Sequence, residues 1–403
     1  MKVTFVLSIL LAVALAILDN GLAKTPQMGW NSWNKFACNV NETVIRDTID
    51  LIVKLKLDTL GYNYVNIDDC WAESRDANGI VVVDSKSFPN GIKALADYAH
   101  SKGLLFGIYS DAGSNTCAGR PGSLGHELDD AKTYAEWGVD YLKYDNCNAD
   151  GNTVKERYTA MAKALHSVDR PIFFSMCEWG VQRPAEWGKS IGGNSWRTTG
   201  DISDNWNSML LNALYNDADA AAAGPGGWND PVGNGGMNND EYKIHFALWC
   251  LDLADGTTQL EVGNGGMNND EYKIHFALWC LVKAPLLIGC DLSSISKDTL
   301  SILGNKEAIA VNQDSLGQQG TLIIQNGQHH IWAGKTSDGY VVLAYGVVSD
   351  VQKVTLDIAK LSGLTQFQVR DIYAGKDVGT GENTYEISFD YHKGTFLKFS
   401  APQ

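Results

Sequence analysis

Positive charge is scarce in this chain. Its 32 Lys and Arg residues are outnumbered by 47 Asp and Glu, leaving a formal net charge of −15. No basic stripe offsets the acidity, which argues against a nucleic-acid partner. Long apolar runs are also rare: after Leu18 none could cross a bilayer. The eight cysteines form no Cys-x-x-Cys pair and no His-rich spacing suggests zinc, so no metal site is expected. Asn41-Glu-Thr43 is the one Asn-x-Ser/Thr sequon, making Asn41 the candidate for a glycan.

What is present begins with a leader. Lys2 precedes an almost wholly apolar stretch, Val3 to Leu18, and small-residue cleavage patterns follow at Ala14-Leu-Ala16 and Gly21-Leu-Ala23. Residues 1–23 therefore read as a signal peptide, with cleavage after Ala16 or Ala23. A membrane anchor fits less well, because the run is short and has no basic flank. The mature chain is expected outside the cell or in a lysosomal or vacuolar lumen, where disulfides form.

From residue 24 to about 314, apolar strand-like runs alternate with amphipathic stretches. Strands are expected near residues 28, 64, 106, 141, 173, 196, 227 and 287. Helices are expected over 42–56, 92–102, 126–137 and 155–167. Eight such units imply a parallel (β/α)8 TIM barrel. The strand-like runs end in polar bursts: Asp68-Asp69, Tyr109-Ser-Asp111, Lys143-Tyr-Asp145, Glu178-Trp179, Arg197 to Asp201, and Asn229-Asp230. In a barrel those ends share one face, so the bursts converge on a single site. From 315 to 403 the texture changes to short β-type runs around residues 322, 330, 340, 354, 367, 385 and 395, separated by turn residues. This reads as a C-terminal antiparallel β-sandwich with no chemistry of its own.

These strand ends carry GWNSWN (29–34), NIDDCW (66–71), GIYSDAG (107–113), YLKYDNC (141–147), CEWG (177–180), WRTTGDI (196–202), AGPGGWNDP (223–231) and APLLIGCDL (284–292). In this order they resemble glycoside hydrolase family 27, the α-galactosidases and their relatives. The resemblance implies the same barrel-plus-β-domain fold and a retaining exo-α-galactosidase. Retention needs two carboxyl groups: one attacks the anomeric carbon, the other gives and later takes a proton. By resemblance Asp145 is the nucleophile and Asp201 the acid/base. Lys143, two residues before Asp145, shares its strand face and favours the ionised nucleophile. Asp201 has to hold a proton at the working pH.

The resemblance also gives Asp68 and Asp69 the 4- and 6-hydroxyls of galactose. Arg197, Lys143 and Tyr109 add polar contacts, Trp30 an aromatic wall, and Asp230 a further carboxylate. Glu178 and Trp179 are large where relatives that take an N-acetyl group carry small residues, and Glu178 is expected to bind the 2-hydroxyl. Disulfides Cys38–Cys70 and Cys117–Cys147 follow from matching positions, while Cys177, Cys250, Cys280 and Cys290 are expected as buried thiols. No cofactor is required. The expected substrates are α-galactoside oligosaccharides, polysaccharides or glycoconjugates. An α-N-acetylgalactosaminidase is the alternative enzyme.

One departure stands out. Residues 232–251 recur unchanged as 262–281, a period of 30 residues. In the family, Trp-Asn-Asp-Pro runs directly into Asp-Met, whose Asp binds ligand by this resemblance; here Val232 follows Pro231. Identical copies point to a recent duplication or, the favoured account, a gene-model error. The second copy joins Ala284-Pro-Leu-Leu-Ile288 directly and is expected to take the helical slot before the eighth strand. Asp252 or Asp255 is a weak substitute for the missing carboxylate. A catalytically impaired galactose-binding homologue therefore stays open.

Overall fold

The computed structural model of the chain describes residues 19–149, 151–202, 205–231 and 267–402. Most of the expected signal peptide, Val232, the first copy of the repeat, Cys250, Asp252 and Asp255 lie outside the described residues. The chain divides into two compact units. One runs to Thr198 and includes Gly226–Trp228; the other comprises Thr199–Pro225 and the chain from Asn229 onward.

The eight expected barrel strands are β1 (Met28–Asn31), β2 (Tyr64–Asn66), β3 (Leu105–Asp111), β4 (Tyr141–Asp145), β5 (Phe173–Met176), β6 (Ser195–Arg197), β7 (Trp228–Asp230) and β8 (Leu286–Ile288). They form one sheet in the order β8-β1-β2-β3-β4-β5-β6-β7. Each of the pairs from β1–β2 to β5–β6 is parallel. Between them run α1 (Glu42–Lys54), α2 (Gly91–Ser101), α3 (Glu127–Glu136), α4 (Val154–His166), α5 (Trp206–Asp217) and α6 (Asn269–Leu281). The strands are short and apolar on both faces, as parallel strands covered by helices must be. Phe106, Ile108, Leu142, Phe174 and Met176 are all buried. Gly107 is required by close approach: a Cβ there would lie 2.0 Å from Asn66 Oδ1.

Helix starts follow from capping chemistry. Thr153 and Glu156 form a capping box at α4, and Asn268 and Glu271 form one at α6. The second copy of the repeat supplies α6, where Ile274, Phe276, Leu278 and Trp279 are each 0% exposed. Burying each such side chain is worth about 1.5–3 kcal/mol, so this copy is packed as a core helix.

In the second unit, two short helices, Lys297–Leu303 and Lys306–Asn312, precede eight strands: β9 (Thr321–Gln325), β10 (His329–Thr336), β11 (Gly339–Gly346), β12 (Gln352–Asp357), β13 (Gln366–Asp371), β14 (Lys376–Glu382), β15 (Thr384–Phe389) and β16 (Gly394–Ser400). Their order is β9-β10-β11-β16-β13-β14-β15-β12. The pairings are antiparallel. Ile331, Val342, Phe367, Val369, Ile387 and Phe399 make their core. Strand β14 was not expected from sequence. Its residues KDVGTGE are almost all exposed and show no apolar alternation, so pairing, chiefly to β13, makes it a strand. No helix among the described residues is long and apolar enough to cross a membrane.

Candidate active site

Asp145 is the last residue of β4, and register sets its neighbours. Tyr109 of β3 lies opposite Lys143, and Asp111 opposite Asp145. Alternation puts Tyr109, Asp111, Lys143 and Asp145 on one face of adjoining strands. All four are buried.

The Asp145 carboxylate is held on every side. Oδ1 accepts Trp179 Nε1 at 3.0 Å and Asn146 N at 2.9 Å. Oδ2 accepts the Tyr109 hydroxyl at 3.1 Å, with Lys143 Nζ at 4.0 Å. Donors and a cation aimed at a carboxylate favour its ionised form and fix its direction. Burial, and then the Asp145 charge, raise Tyr109 well above the ordinary phenol range, so it stays a donor. Burial opposes the Lys143 ammonium, but the charges around it, Asp68 foremost, outweigh burial and raise its pKa.

Asp68 and Asp69 follow β2. Asp68 Oδ2 accepts Lys143 Nζ and Asn31 Nδ2, each at 2.9 Å. Its own N–H donates to Ser32 Oγ at 2.9 Å. Asp69 Oδ1 accepts Cys70 N at 2.7 Å and Oδ2 accepts Ala118 N at 2.9 Å. Burial raises Asp69 above the usual carboxylate range despite these bonds. The loops bearing these groups are tied by the two expected disulfides, Cys38–Cys70 and Cys117–Cys147. Asp111, Cys117, Asp145 and Cys147 bring ligand-type atoms within 4.8 Å of one another. Two of those atoms are joined disulfide sulfurs without thiolate character, so the donor set is wrong for a metal.

After β5 one expectation changes. Cys177 is the buried thiol expected, and Arg197 Nη1 donates to its Sγ at 3.2 Å. Trp179, two residues on, reaches Asp145. Glu178 between them points the other way; it is 0% exposed and its Oε1 accepts Gln182 N at 2.7 Å. Burial pushes Glu178 up to about 7, against the pull of that bond, Arg197 and Arg157. Its expected bond to a sugar 2-hydroxyl does not suit an enclosed carboxyl. Trp179 sits in a turn with a left-handed backbone, φ 65°, so the turn rather than the strand period sets these directions. Asn31 was also missed; its place in GWNSWN was the available signal. Arg157 Nη2 donates to Asn146 Oδ1 at 2.7 Å, bracing the loop after Asp145.

Cys290 is disulfide-bonded rather than a free thiol, whereas Cys177 and Cys280 are free and buried. Trp30 is 0% exposed, with its ring 6.0 Å from that of Phe36. Asp201 and Asp230 belong to the second unit. Asp201 is half-buried in the loop after β6, and Asp230 ends β7, buried. In that unit Pro231 O accepts Thr199 Oγ1 and Asn212 Nδ2, each at 3.0 Å. These bonds fix the chain up to the residue before Val232.

The sequence profile described as "Alpha galactosidase A" matches residues 25–257 and 253–314, and that of the "Alpha galactosidase C-terminal beta sandwich domain" matches 326–399. The chain belongs to the alpha galactosidase A family. The first profile's matches overlap within the repeat region, at 253–257. An alpha-galactosidase of Cyamopsis tetragonoloba is 52% identical over 92% of this chain and 85% of its own. Among solved structures, alpha-galactosidase I of Mortierella vinacea superposes with TM-score 0.82 at 36% identity, covering 94% of this chain and 98% of its own. The Saccharomyces cerevisiae alpha-galactosidase solved with raffinose does so with TM-score 0.82 at 30% identity, covering 94% and 98%. Family membership accounts for the fold: a (β/α)8 barrel followed by a β-sandwich domain.

Proposed function

We propose that this chain is a retaining exo-α-galactosidase that removes terminal α-D-galactose from oligosaccharides, polysaccharides or glycoconjugates. The observation that carries the reading is Asp145, a buried carboxylate at a strand end, aimed by Tyr109 and Trp179 and flanked by Lys143. Asp145 attacks the anomeric carbon while Asp201 protonates the departing glycosidic oxygen. The resulting glycosyl ester is hydrolysed by a water that gives its proton to Asp201, freeing Asp145. Asp68 and Asp69 receive the 4- and 6-hydroxyls, Lys143, Arg197 and Asp230 add polar contacts, and Trp30 forms an apolar wall. The bulk of Trp179 beside Asp145 disfavours an N-acetyl group at the 2-position. Two carboxyl groups suffice, so no cofactor enters the scheme. The disulfides fit a secreted or lumenal protein. Exposed Asn41, whose Oδ1 caps α1 by accepting Val44 N at 3.0 Å, is the glycan site.

Hydrolysis of an aryl α-galactoside near pH 5, beside the aryl α-N-acetylgalactosaminide, tests this reading. Turnover of the galactoside alone, lost in Asp145→Asn, supports it; preference for the acetamido sugar overturns the specificity. Val232 in place of the family's Asp favours a second reading, an impaired galactose-binding homologue. That protein would bind galactose without turning over either substrate.

A further inference from the structure

Asp111 faces Asp145 across β3 and β4 and has no part in the scheme above. It is 0% exposed. Its Oδ1 accepts Gly113 N at 2.7 Å, and its Oδ2 accepts Cys147 N at 2.9 Å. The next residue, Ala112, donates its N–H to Asp145 O at 2.9 Å. The end of β3 thus grips the nucleophile strand both at Asp145 and two residues beyond it.

The charges around Asp111 are the wrong sign for a carboxylate. A side-chain oxygen of Asp145 lies within 4.8 Å of one of its own. Asp69, in the loop after β2, adds negative potential. The groups of Tyr109, Tyr144 and Tyr158 that also sense Asp111 are phenols. Lys143 is directed to Asp68 at 2.9 Å and Asp145 at 4.0 Å. Among the described residues no Lys or Arg forms an ion pair with Asp111.

One contact offers a proton on Asp111 an acceptor. Cys117 Sγ lies 3.7 Å from Asp111 Oδ2. Cys117 is joined to Cys147, so its sulfur has no hydrogen to donate. The contact is a hydrogen bond only when Asp111 is the acid and supplies the hydrogen. A protonated carboxyl can accept from both backbone N–H groups and still donate to sulfur. Neither a carboxylate nor a primary amide can do all three.

We propose that Asp111 works as a neutral acid: a positioning residue that braces the Asp145 loop through Cys147 and its disulfide without placing a second negative charge beside Asp145. Its catalytic meaning rests on Asp145 being the nucleophile. The titration state is consistent, since burial and then Asp145 push Asp111 up to about 8.

The test compares thermal unfolding of the wild-type chain and Asp111→Asn from pH 5 to 9. Native Asp111 keeps its proton that the unfolded chain has lost, so the wild type loses stability as pH rises and levels off above about 8. Asn does not titrate. The Tm of the variant minus that of the wild type therefore climbs from pH 5 to about 8 and is flat beyond, whatever its starting offset. A gap that stays constant from pH 5 to 9 overturns the proposal. Should the variant fail to fold, side-chain 13C NMR of aspartate-labelled wild type, Asp69→Asn and Asp201→Asn decides. A carboxyl that stays in its acid form to about pH 8 in all three proteins supports the assignment, and its absence from any of them overturns it. Neither readout uses substrate, so an inactive enzyme would sink the galactosidase reading and leave this one standing.

Discussion

In the barrel strands, buried Asp68, Asp69, Asp111, Lys143, Asp145 and Arg197 gather at or just beyond strand ends. In the C-terminal sheet, Ile331, Val342, Phe367, Val369 and Phe399 fill the interior, and the buried polar residues are His329, His330 and Thr336. The sheet's Lys353–Glu386 ion pair, at 3.0 Å, is surface-exposed. The barrel bears the cost of desolvating charges and offsets it with mutual pairing, which is how a site is prepared for chemistry. The sheet has no such cluster, and its composition is that of packing alone.

Substitutions on the two sides should separate activity from stability. The largest effect is expected from Asp145→Asn: turnover of an aryl α-galactoside disappears while the melting profile stays close to wild type. A variant that keeps most of its rate would break the contrast. Asp201→Asn should lower kcat by about 10²–10⁴-fold, the usual worth of general acid–base catalysis, with the smaller loss on a substrate whose leaving group needs little protonation. In the sheet, Phe399→Ala should cost about 3–5 kcal/mol in denaturant unfolding, yet leave KM and kcat of the folded fraction unchanged.

The subtlest change is Glu178→Gln. Glu178 has a folded pKa of about 7, above its unfolded value near 4.5. Its contribution is therefore fully present below pH 4.5 and lost as pH rises through about 7. Gln removes that dependence, so the variant should gain on the wild type by about 2 kcal/mol between pH 5 and 8. A pH-independent difference would show Glu178 ionised throughout.

Much of this was legible before any fold was known. Short apolar runs alternating with helical patterning located each barrel strand, because strands covered on both faces must be short and apolar. The strand-end bursts marked Asp68, Asp69, Lys143 and Asp145. Strand β14 escaped because KDVGTGE buries almost nothing and owes its shape to its neighbour. Glu178 was misplaced because composition says which groups are present, whereas only the folded turn after β5 says where each one points.

Sequence by itself determined the order of the barrel strands, the family and the residue types at each strand end, since periodicity and motif are local. Tertiary structure alone decided which carboxyls face one another. Asp111 and Asp145 are 34 residues apart in the chain, and only the β3–β4 register puts them in contact. Burial and then the nearby Asp145 charge raise Asp111, because the energy of a buried charge is set by its neighbours in space.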